Sequence, residues 1–595
     1  MRPTSWDRFK FDPLVEVDTL IPLLEAVIKG RPQTNRDWRR ILKRFRRRDE
    51  MFFSKSQMIE AYRVLGKTHD FGIGEEAFLG LIRMKPTRTQ SGVAPITVLT
   101  KPFPCPGQCI FCPNDVRMPK SYLSNEPGAQ RAARNRFDPY AQTWNRLTAF
   151  HKMGHSAAKV ELIVLGGTWS AYPKSYQVYF IARCFEAVSD FGSTEDPQPY
   201  DAPALHQPDF LDVDGDLKLT PRLDETVNVY NKTVSRHLRS ELDGALLAEH
   251  ESVDWDRLFA AHDINESAPS RIVGLVIETR PDEVSISEIE HLRLLGATKV
   301  QVGIQNLNDD VLLANRRGHS VAQARKALGL LRQGGFKVQA HWMANLYRAT
   351  VQSDAEDYLR LFSDPWICPD ELKLYPCSLI PHTELMTHYE AGRWRPYDRQ
   401  ELLELLVEIM PKTPEYCRLS RVIRDIPADS MHTDSHGTNF REVAEAEIEK
   451  RDLRLKEIRA REVKTRGFSG GDLNRRTISY ETAVSQEYFI QFESGTSLLG
   501  FIRLSLPSVP PIFEELVGCA MIREVHVYGQ SLSFGEASGA RAQHRGLGRQ
   551  LIETACQIAQ SNSYQGLAVI SSVGTRGYYR KLGFEMDRLY QIRTL

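Results

Sequence analysis

Cys105-Pro-Gly-Gln-Cys109-Ile-Phe-Cys112-Pro113 packs three of the nine cysteines of a 595-residue chain into eight positions. Thiolates are soft ligands suited to iron–sulfur clusters. Three of them at this spacing can cap three irons of a cubane and leave the fourth iron open. A zinc site would need a fourth ligand from elsewhere, and no second close cysteine pair is nearby. An odd cysteine count concentrated in one loop is no disulfide framework and fits a reducing compartment.

The flanking sequence places this loop in a fold. Strands are expected at ITVLTK (96–101), VELIVLGG (160–167), IVGLVIE (272–278), KVQVGIQ (299–305), KVQAHWM (337–343) and ELKLYP (371–376). Amphipathic helices, such as 285–295 and 321–333, lie between several of them. Alternation of this kind predicts a parallel sheet built from βα units, and six strands make a partial (β/α)6 barrel. The cysteine loop follows the first strand, where a barrel carries its active-site loops. Gly166, Gly167 and Thr168 end the second strand; Glu278 and Arg280 end or follow the third; Gln305 ends the fourth. All six are candidate cofactor-binding residues, because glycine lets a ligand approach the backbone closely and strand ends face the mouth. Simple strand capping is the alternative for each.

Toward the C-terminus the pattern turns to β, at EYFIQFE (487–493), LLGFIRLSL (498–506) and AMIREVHVYG (520–529), followed by a helix near 546–560 and a strand GLAVISS (566–572). Gln543-His544-Arg545-Gly546-Leu547-Gly548-Arg549 stands between strand and helix. Small residues at a helix start let backbone N–H groups cradle a pyrophosphate. The preceding strand, with Val525 and Val527, would lie beside the arm of such a ligand. Tyr578 and Tyr579 follow on a late helix. One is expected to face the reacting group, where a hydroxyl can protonate a leaving thiolate, and the other to pack or contact the cofactor.

At the N-terminus, ten Lys/Arg and one acid fall between Lys29 and Arg48. Trp38, Ile41, Leu42 and Phe45 recur at helical spacing, which leaves Arg36, Arg39, Arg40, Lys43, Arg44 and Arg47 for solvent or for phosphates. A solvated helix face is the bland alternative. Net charge is only +1, so any nucleic-acid site is local. Residues 195–225 hold nine Asp/Glu, two Lys/Arg and five Pro, an acidic insertion with little core of its own. No apolar run is long enough for a membrane span, and residues 1–18 lack the apolar stretch of a signal peptide. A cytoplasmic protein is expected.

These blocks give four regions in an α/β multidomain chain. Residues 1–90 form a basic helical region, 91–381 the partial barrel, 382–465 a helical linker, and 466–595 a mixed α/β domain. Cys368, Cys377, Cys417, His432 and His436 lie in or near the linker. A zinc site is one reading of them; buried structural cysteines and surface histidines are the other.

The cysteine spacing, with Phe111 before the third Cys, resembles the radical-SAM superfamily. The resemblance implies a 4Fe-4S cluster held by Cys105, Cys109 and Cys112, and S-adenosyl-L-methionine bound at the open iron and cleaved to a 5′-deoxyadenosyl radical. The Q/RxxGxG/A pattern at 543–548 resembles the GNAT acetyltransferases and implies acetyl-CoA. With both modules on one chain, the sequence is similar to the catalytic subunit of Elongator in a bacterial-type version. Matching stretches are IETRPD (277–282), NRRGHS (315–320), LKLYP (372–376), RVIRDIP (421–427), IRAREV (458–463), VHVYG (525–529) and GTRGYYRKLGF (574–584). With the cysteine motif and the 543–548 pattern, the resemblance covers most of the chain from about residue 85 to 595. Two departures stand out: the first cysteine gap is shorter than in eukaryotic members, and the 195–225 segment is longer than usual.

The resemblance implies a tRNA-modifying acyltransferase that builds the carboxymethyl precursor on carbon five of the wobble uridine. Its partners would be the tRNA anticodon stem-loop and an electron donor; a homodimer is left open. The competing reading is a protein lysine acetyltransferase with a structural iron–sulfur cluster.

Overall fold

The computed structural model describes residues 11–48, 50–84, 89, 92–195, 197–200, 227–242, 244–381, 383–424, 426–427, 431–432, 439–463, 473–528 and 546–595. The acidic insertion beyond residue 200, together with Gln543, His544, Arg545 and His436, lies outside them.

One sheet carries β1 (Ala94–Leu99), β2 (Lys159–Leu165), β3 (Arg271–Thr279), β4 (Lys299–Gln305), β5 (Lys337–Ala344), β6 (Glu371–Pro376) and β7 (Arg418–Arg421), paired in that order and all parallel. The six expected strands are therefore joined by a seventh. It lies inside the segment expected to be a helical linker, where RLSR is too short to register as a periodic run.

The strands alternate with a period of two. On β2, Val160, Leu162 and Val164 are buried in the main core together with Phe180, Ile181 and Phe185 of the helix Lys174–Gly192, while Lys159, Glu161 and Ile163 face the lumen. Each such aliphatic side chain contributes roughly 1.5–3 kcal/mol on burial. On β4, Lys299 and Gln301 point inward in the same way, and Val300, Val302 and Ile304 outward. The wall of the barrel is apolar outside and polar inside.

The C-terminal sheet has the order β13-β14-β12-β11-β10-β9-β8, with β8 (Asn474–Glu481), β9 (Ser485–Ser494), β10 (Ser497–Pro507), β11 (Cys519–Val527), β12 (Gly566–Val569), β13 (Glu585–Met586) and β14 (Gln591–Thr594). β11 and β12 are parallel and pair only from Cys519 to Ile522. Beyond that point they separate, so the edge of β11 from Glu524 to Val527 is unpaired toward β12. Opposite Arg503/Leu504 of β10 the register of β11 slips by one residue, at Arg523. Such a bulge turns neighbouring side chains to one side. Arg523 and Glu524 both face the barrel, while Ile522, Val525 and Val527 face the helix Leu547–Ser561.

This domain seats on the N-terminal ends of the barrel strands. Arg523 donates to Asp370 at 2.6 and 2.8 Å and to the carbonyl of Phe336 at 3.1 Å. Tyr590 donates to the carbonyl of Gly334, Ser572 to that of Ile272, and Arg293 donates to the carbonyl of Leu589. Lys337 pairs with Glu524. Each partner on the barrel side lies at or just before a strand start, apart from Arg293 at the end of a helix.

The N-terminal region folds as four helices, Val17–Gly30, Asn35–Leu42, Lys55–Leu65 and Glu75–Ile82, around Leu20, Leu24, Trp38, Met58 and Phe78. The helix that carries Trp38, Ile41 and Leu42 begins with a Thr34/Asp37 capping box and ends at Leu42, short of Phe45.

Candidate functional site

The cysteine loop lies beyond the C-terminal end of β1. All three thiols are buried and none of the nine cysteines forms a disulfide. Cys105 is fixed through its backbone: its N–H donates to Asn231 Oδ1 at 2.9 Å and its carbonyl accepts from Asn231 Nδ2 at 2.8 Å. Arg317 Nη1 donates to Cys109 Sγ at 2.9 Å and Arg317 Nη2 to the carbonyl of Gly303 at 2.7 Å. Cys112 Sγ lies 3.2 Å from Ser121 Oγ.

Cys109 is held well below the ordinary thiol range by its hydrogen bond with Cys112, with the Arg317 and Arg280 guanidiniums acting in the same direction. Burial pulls the Lys120 ammonium down, and the charge it feels from Cys112, Cys105 and Cys109 opposes that. One cation thus faces all three thiols, and Arg280 faces Cys109 and Cys105. Among the described residues no three Cys, His, Asp or Glu side chains surround a single metal ion. A cubane places each thiolate on a different iron, so three buried thiols sharing a ring of cations suit a cluster better than they suit one ion.

Gly166-Gly167-Thr168 abuts this loop. A Cβ on Gly166 would lie 2.0 Å from Thr100 Oγ1, so only glycine fits there. Thr168 Oγ1 lies 3.5 Å from Cys105 Sγ. Gln305 ends β4 with φ at +63°, a left-handed conformation that a non-glycine residue rarely adopts. Arg280 donates to both oxygens of Asp282 and to the carbonyl of Arg317, and it leaves no room for a Cβ at Gly107. Glu278 points into the lumen; burial pushes its carboxyl above the ordinary range. The sequence-predicted mouth residues therefore do converge.

Sequence reasoning missed Arg317, Lys120, Asn231 and Arg424. Arg424 donates to the carbonyl of Ser121 and to Glu126 Oε1 at 2.7 Å, tying the strand-β7 side to the cysteine loop. Arg317 lies in the NRRGHS stretch, which was a usable signal.

At the other end of the lumen, Gly546 begins the helix Leu547–Ser561 with φ at +70°. A Cβ on Gly548 would come within 2.8 Å of the Tyr578 hydroxyl. Tyr578 is 45% exposed and Tyr579 8%. Tyr578 thus leans over the helix start, whereas Tyr579 packs in the core against Phe584. Leu547 is buried in the same core and anchors the helix, while Arg549 is exposed at the cavity rim. Val525 and Val527 line the cavity from β11. His526 lies between them and faces the barrel; burial pushes its imidazole down to about 4, so the ring is neutral at pH 7.

A cavity of about 1390 Å³ joins this helix start to the barrel interior, where Glu161, Gly274, Lys299, Gln301, Gln339 and Lys373 line it. Its inner end is a polar throat. Gln301 Oε1 accepts from Lys373 Nζ and lies 3.0 Å from His341 Nε2, and His341 Nδ1 is 3.6 Å from Glu278.

On the N-terminal helices, Arg36, Arg39, Arg40, Lys43 and Arg44 are exposed, while Arg47 is half-buried beside Glu16. Lys43 caps the end of the Asn35–Leu42 helix, and Arg44 and Arg47 follow it. The linker cysteines and His432 do not gather. Cys368 bonds to the carbonyls of Phe362 and Asp364, Cys417 sits in the main core, Cys377 packs beside the cysteine loop, and His432 packs edge-on to Tyr389.

No helix among the described residues is long and apolar enough to cross a membrane. The Radical_SAM C-terminal domain family matches residues 369–450, a stretch containing β6 and β7. The solved archaeal Elp3 of Methanocaldococcus infernus, with an N-terminal deletion, superposes with a TM-score of 0.64 at 29% identity, covering 85% of this chain and 100% of that one. The tRNA uridine(34) acetyltransferase of Dehalococcoides mccartyi is 35% identical over 86% of this chain and 99% of its own length. Elongator complex protein 3 of Bos taurus is 32% identical over 86% of each. With three buried thiols at one mouth of the barrel and a second α/β domain closing the other, the chain belongs to the radical-SAM family of tRNA uridine(34) acetyltransferases, the Elongator complex protein 3 family.

Proposed function

We propose that this protein is a tRNA carboxymethyluridine synthase: an acyltransferase that uses acetyl-CoA and S-adenosyl-L-methionine to build a carboxymethyl precursor on carbon five of the wobble uridine. The observation that carries this reading is one barrel with three buried thiols beyond the C-terminal ends of its strands and, at the N-terminal ends, a cavity that reaches from the barrel interior to a phosphate-type helix start.

Cys105, Cys109 and Cys112 would hold a 4Fe-4S cluster. Gly166, Gly167, Thr168, Glu278, Arg280 and Gln305 surround the space for S-adenosyl-L-methionine. When bound, these two groups supply a carbon radical able to remove hydrogen from a methyl group. Such chemistry is needed because the methyl C–H of an acetyl group and carbon five of uridine do not react by ordinary acyl transfer.

The protein's own contribution is placement and proton handling. The N–H groups at Gly546–Gly548 receive the CoA pyrophosphate. Gln543, His544 and Arg545, which precede them in the sequence, belong to the same Q/RxxGxG/A pattern. Val525 and Val527 flank the arm. The Tyr578 hydroxyl, above Gly548, is placed to protonate the CoA thiolate when the tip of the arm lies at this mouth. Arg36, Arg39, Arg40, Lys43 and Arg44 offer cations to the anticodon stem-loop, whose wobble base is single-stranded and can be splayed into a pocket. An external electron donor is required. Nine unpaired thiols suit a cytoplasmic site of action.

The test is reconstitution with labelled acetyl-CoA, tRNA, S-adenosyl-L-methionine and reductant, read by nucleoside mass spectrometry. Wild type should form carboxymethyluridine. Cys109→Ala should retain tRNA and acetyl-CoA binding and yield none. Product from Cys109→Ala, or acetyl transfer to peptide amines without S-adenosyl-L-methionine, overturns the proposal.

A further inference from the structure

The two ends of the lumen are far apart. β4 runs from the domain-seated end at Lys299 to the cysteine end at Gln305, and six steps at about 3.3 Å each make roughly 20 Å. A thioester held above Gly548 at the lower mouth is therefore out of reach of the upper mouth. Something must cross.

The lumen is built for a guest with both polar and apolar parts. A closed (β/α) barrel fills its interior with layers of branched apolar side chains. Here Glu161, Lys299, Gln301, Gln339, Glu371 and Lys373 point inward beside Val93, Ile163, Leu165 and Val273, and the space between them is open. The inward acids are paired: Lys299 and Lys337 both pair with Glu371, and Lys337 also with Glu524. Cations outnumber acids on the lining, with Arg549 and Lys581 near the helix start, which suits a ligand that enters with phosphates behind it. The slot where β11 leaves β12 opens directly onto this wall, through Glu524 and His526. On β3 the inward residue Gly274 has no side chain. A Cβ there would meet only Glu161, at 3.5 and 4.0 Å, and its φ is ordinary.

We infer that the barrel lumen is the binding site for the acetylated pantetheine arm, which enters through the N-terminal mouth and carries the acetyl group along the barrel, past the throat at Gln301 and Lys373, toward the cysteine end. This rests on the acetyl-CoA reading above and adds the path. A pantetheine arm is a thin chain with two amides and one hydroxyl. Gln301, Gln339 and Ser420 match amides, and the missing side chain at Gly274 gives width where the arm must pass the β2–β3 wall.

The test fills that gap. Gly274→Phe and Gly274→Ala are prepared in the full chain without cluster, and binding of acetyl-CoA is compared with that of adenosine 3′,5′-bisphosphate, a CoA fragment with no arm. Gly274→Phe should weaken acetyl-CoA by at least about tenfold, a loss that free-energy arithmetic makes easy to resolve. It should leave the bisphosphate within about twofold, and Gly274→Ala should behave as wild type. Thr97→Phe, entering the lumen from β1, repeats the comparison should Gly274→Phe fail to fold. Acetyl-CoA affinity unchanged in a folded Phe variant overturns the inference, as does equal weakening of both ligands. In the loaded enzyme, Gly274→Phe should lose wobble product while still cleaving S-adenosyl-L-methionine. A wild type that binds acetyl-CoA but makes no product overturns the proposed function and leaves the arm test standing.

Discussion

Replacing Arg523 by methionine should loosen the seat of the C-terminal domain more than any surface change could. Arg523 is fully buried and joins Asp370 of the barrel to Glu487 of its own sheet, at 2.6 and 2.7 Å. Both carboxylates are also buried, and both are held below their ordinary range against the opposing effect of burial, Arg523 being the largest lowering influence on each. Removing one partner of a buried pair costs about 3–5 kcal/mol, because the remaining charge is left without compensation. Arg503 and Arg332 stay within 3.4 and 3.6 Å of Asp370 and Glu487, so the lower end, about 3 kcal/mol, is expected. For a unit of 150–250 residues this is a fall of roughly 6–12 °C in melting temperature. The assay is differential scanning calorimetry of the full chain at two scan rates, following the first transition. Arg523→Met/Asp370→Asn, which removes one charge of each sign and leaves Glu487 with Arg332 and Arg503 with Glu524, should recover at least half of the loss. A shift under about 2 °C for the single variant, or no recovery in the double, refutes the reasoning.

Three further outcomes are expected. Since the folded-state values of Asp370 and Glu487 lie below their ordinary 3.8 and 4.5, their contribution to stability is full above that range and is lost as pH falls through it toward the folded values; acid melts should show a flatter slope in the double variant, which lacks Asp370, than in wild type. Gly166→Ala should cost about 1–3 kcal/mol from overpacking against Thr100 and lower bound S-adenosyl-L-methionine; adding Thr100→Ala should restore part of both, as equilibrium dialysis and a thermal scan would read. Changing Arg36, Arg39, Arg40 and Lys43 together to glutamine should weaken tRNA binding and reduce the salt slope of log K by roughly 3 if all four meet phosphates, whereas Arg47→Gln, already beside Glu16, should change little in a filter-binding titration.

Much of the architecture was legible in the sequence because the strands carry two signals at once. KVQVGIQ and ELKLYP alternate, and helical runs separate them, so a parallel barrel follows. β7 was not legible: four residues with one buried aliphatic, Leu419, give no period, and its place beside β6 depends on Glu457 accepting the N–H of Leu419 from 38 residues away. The cysteine loop and the glycine helix start were legible because each needs particular residue types at fixed spacing. Their supports were not. Asn231 holds Cys105 from beyond a long insertion, and Lys120 and Arg317 become a ring of cations only once β1, β4 and the following loops meet. The zinc reading finds no support among the described residues: Cys368, Cys377 and Cys417 each point into a different packed region, and His436 lies outside those residues. Inward polarity was visible in KVQVGIQ as a lysine and two glutamines, but strand alternation alone does not say whether the polar face meets solvent or an enclosed channel.

The one-residue slip in β11 has an evolutionary consequence. Because it swings a cation and an anion onto the same side, the mating surface is encoded by strand length as much as by residue identity. Deleting Arg523 would restore regular pairing with β10 while leaving Ile522 toward the helix and Glu524 toward the barrel. The cation that reaches Asp370 and Glu487 is thus carried by a residue the ladder itself does not need, so its loss would strip the junction of charge without changing the register of the strand.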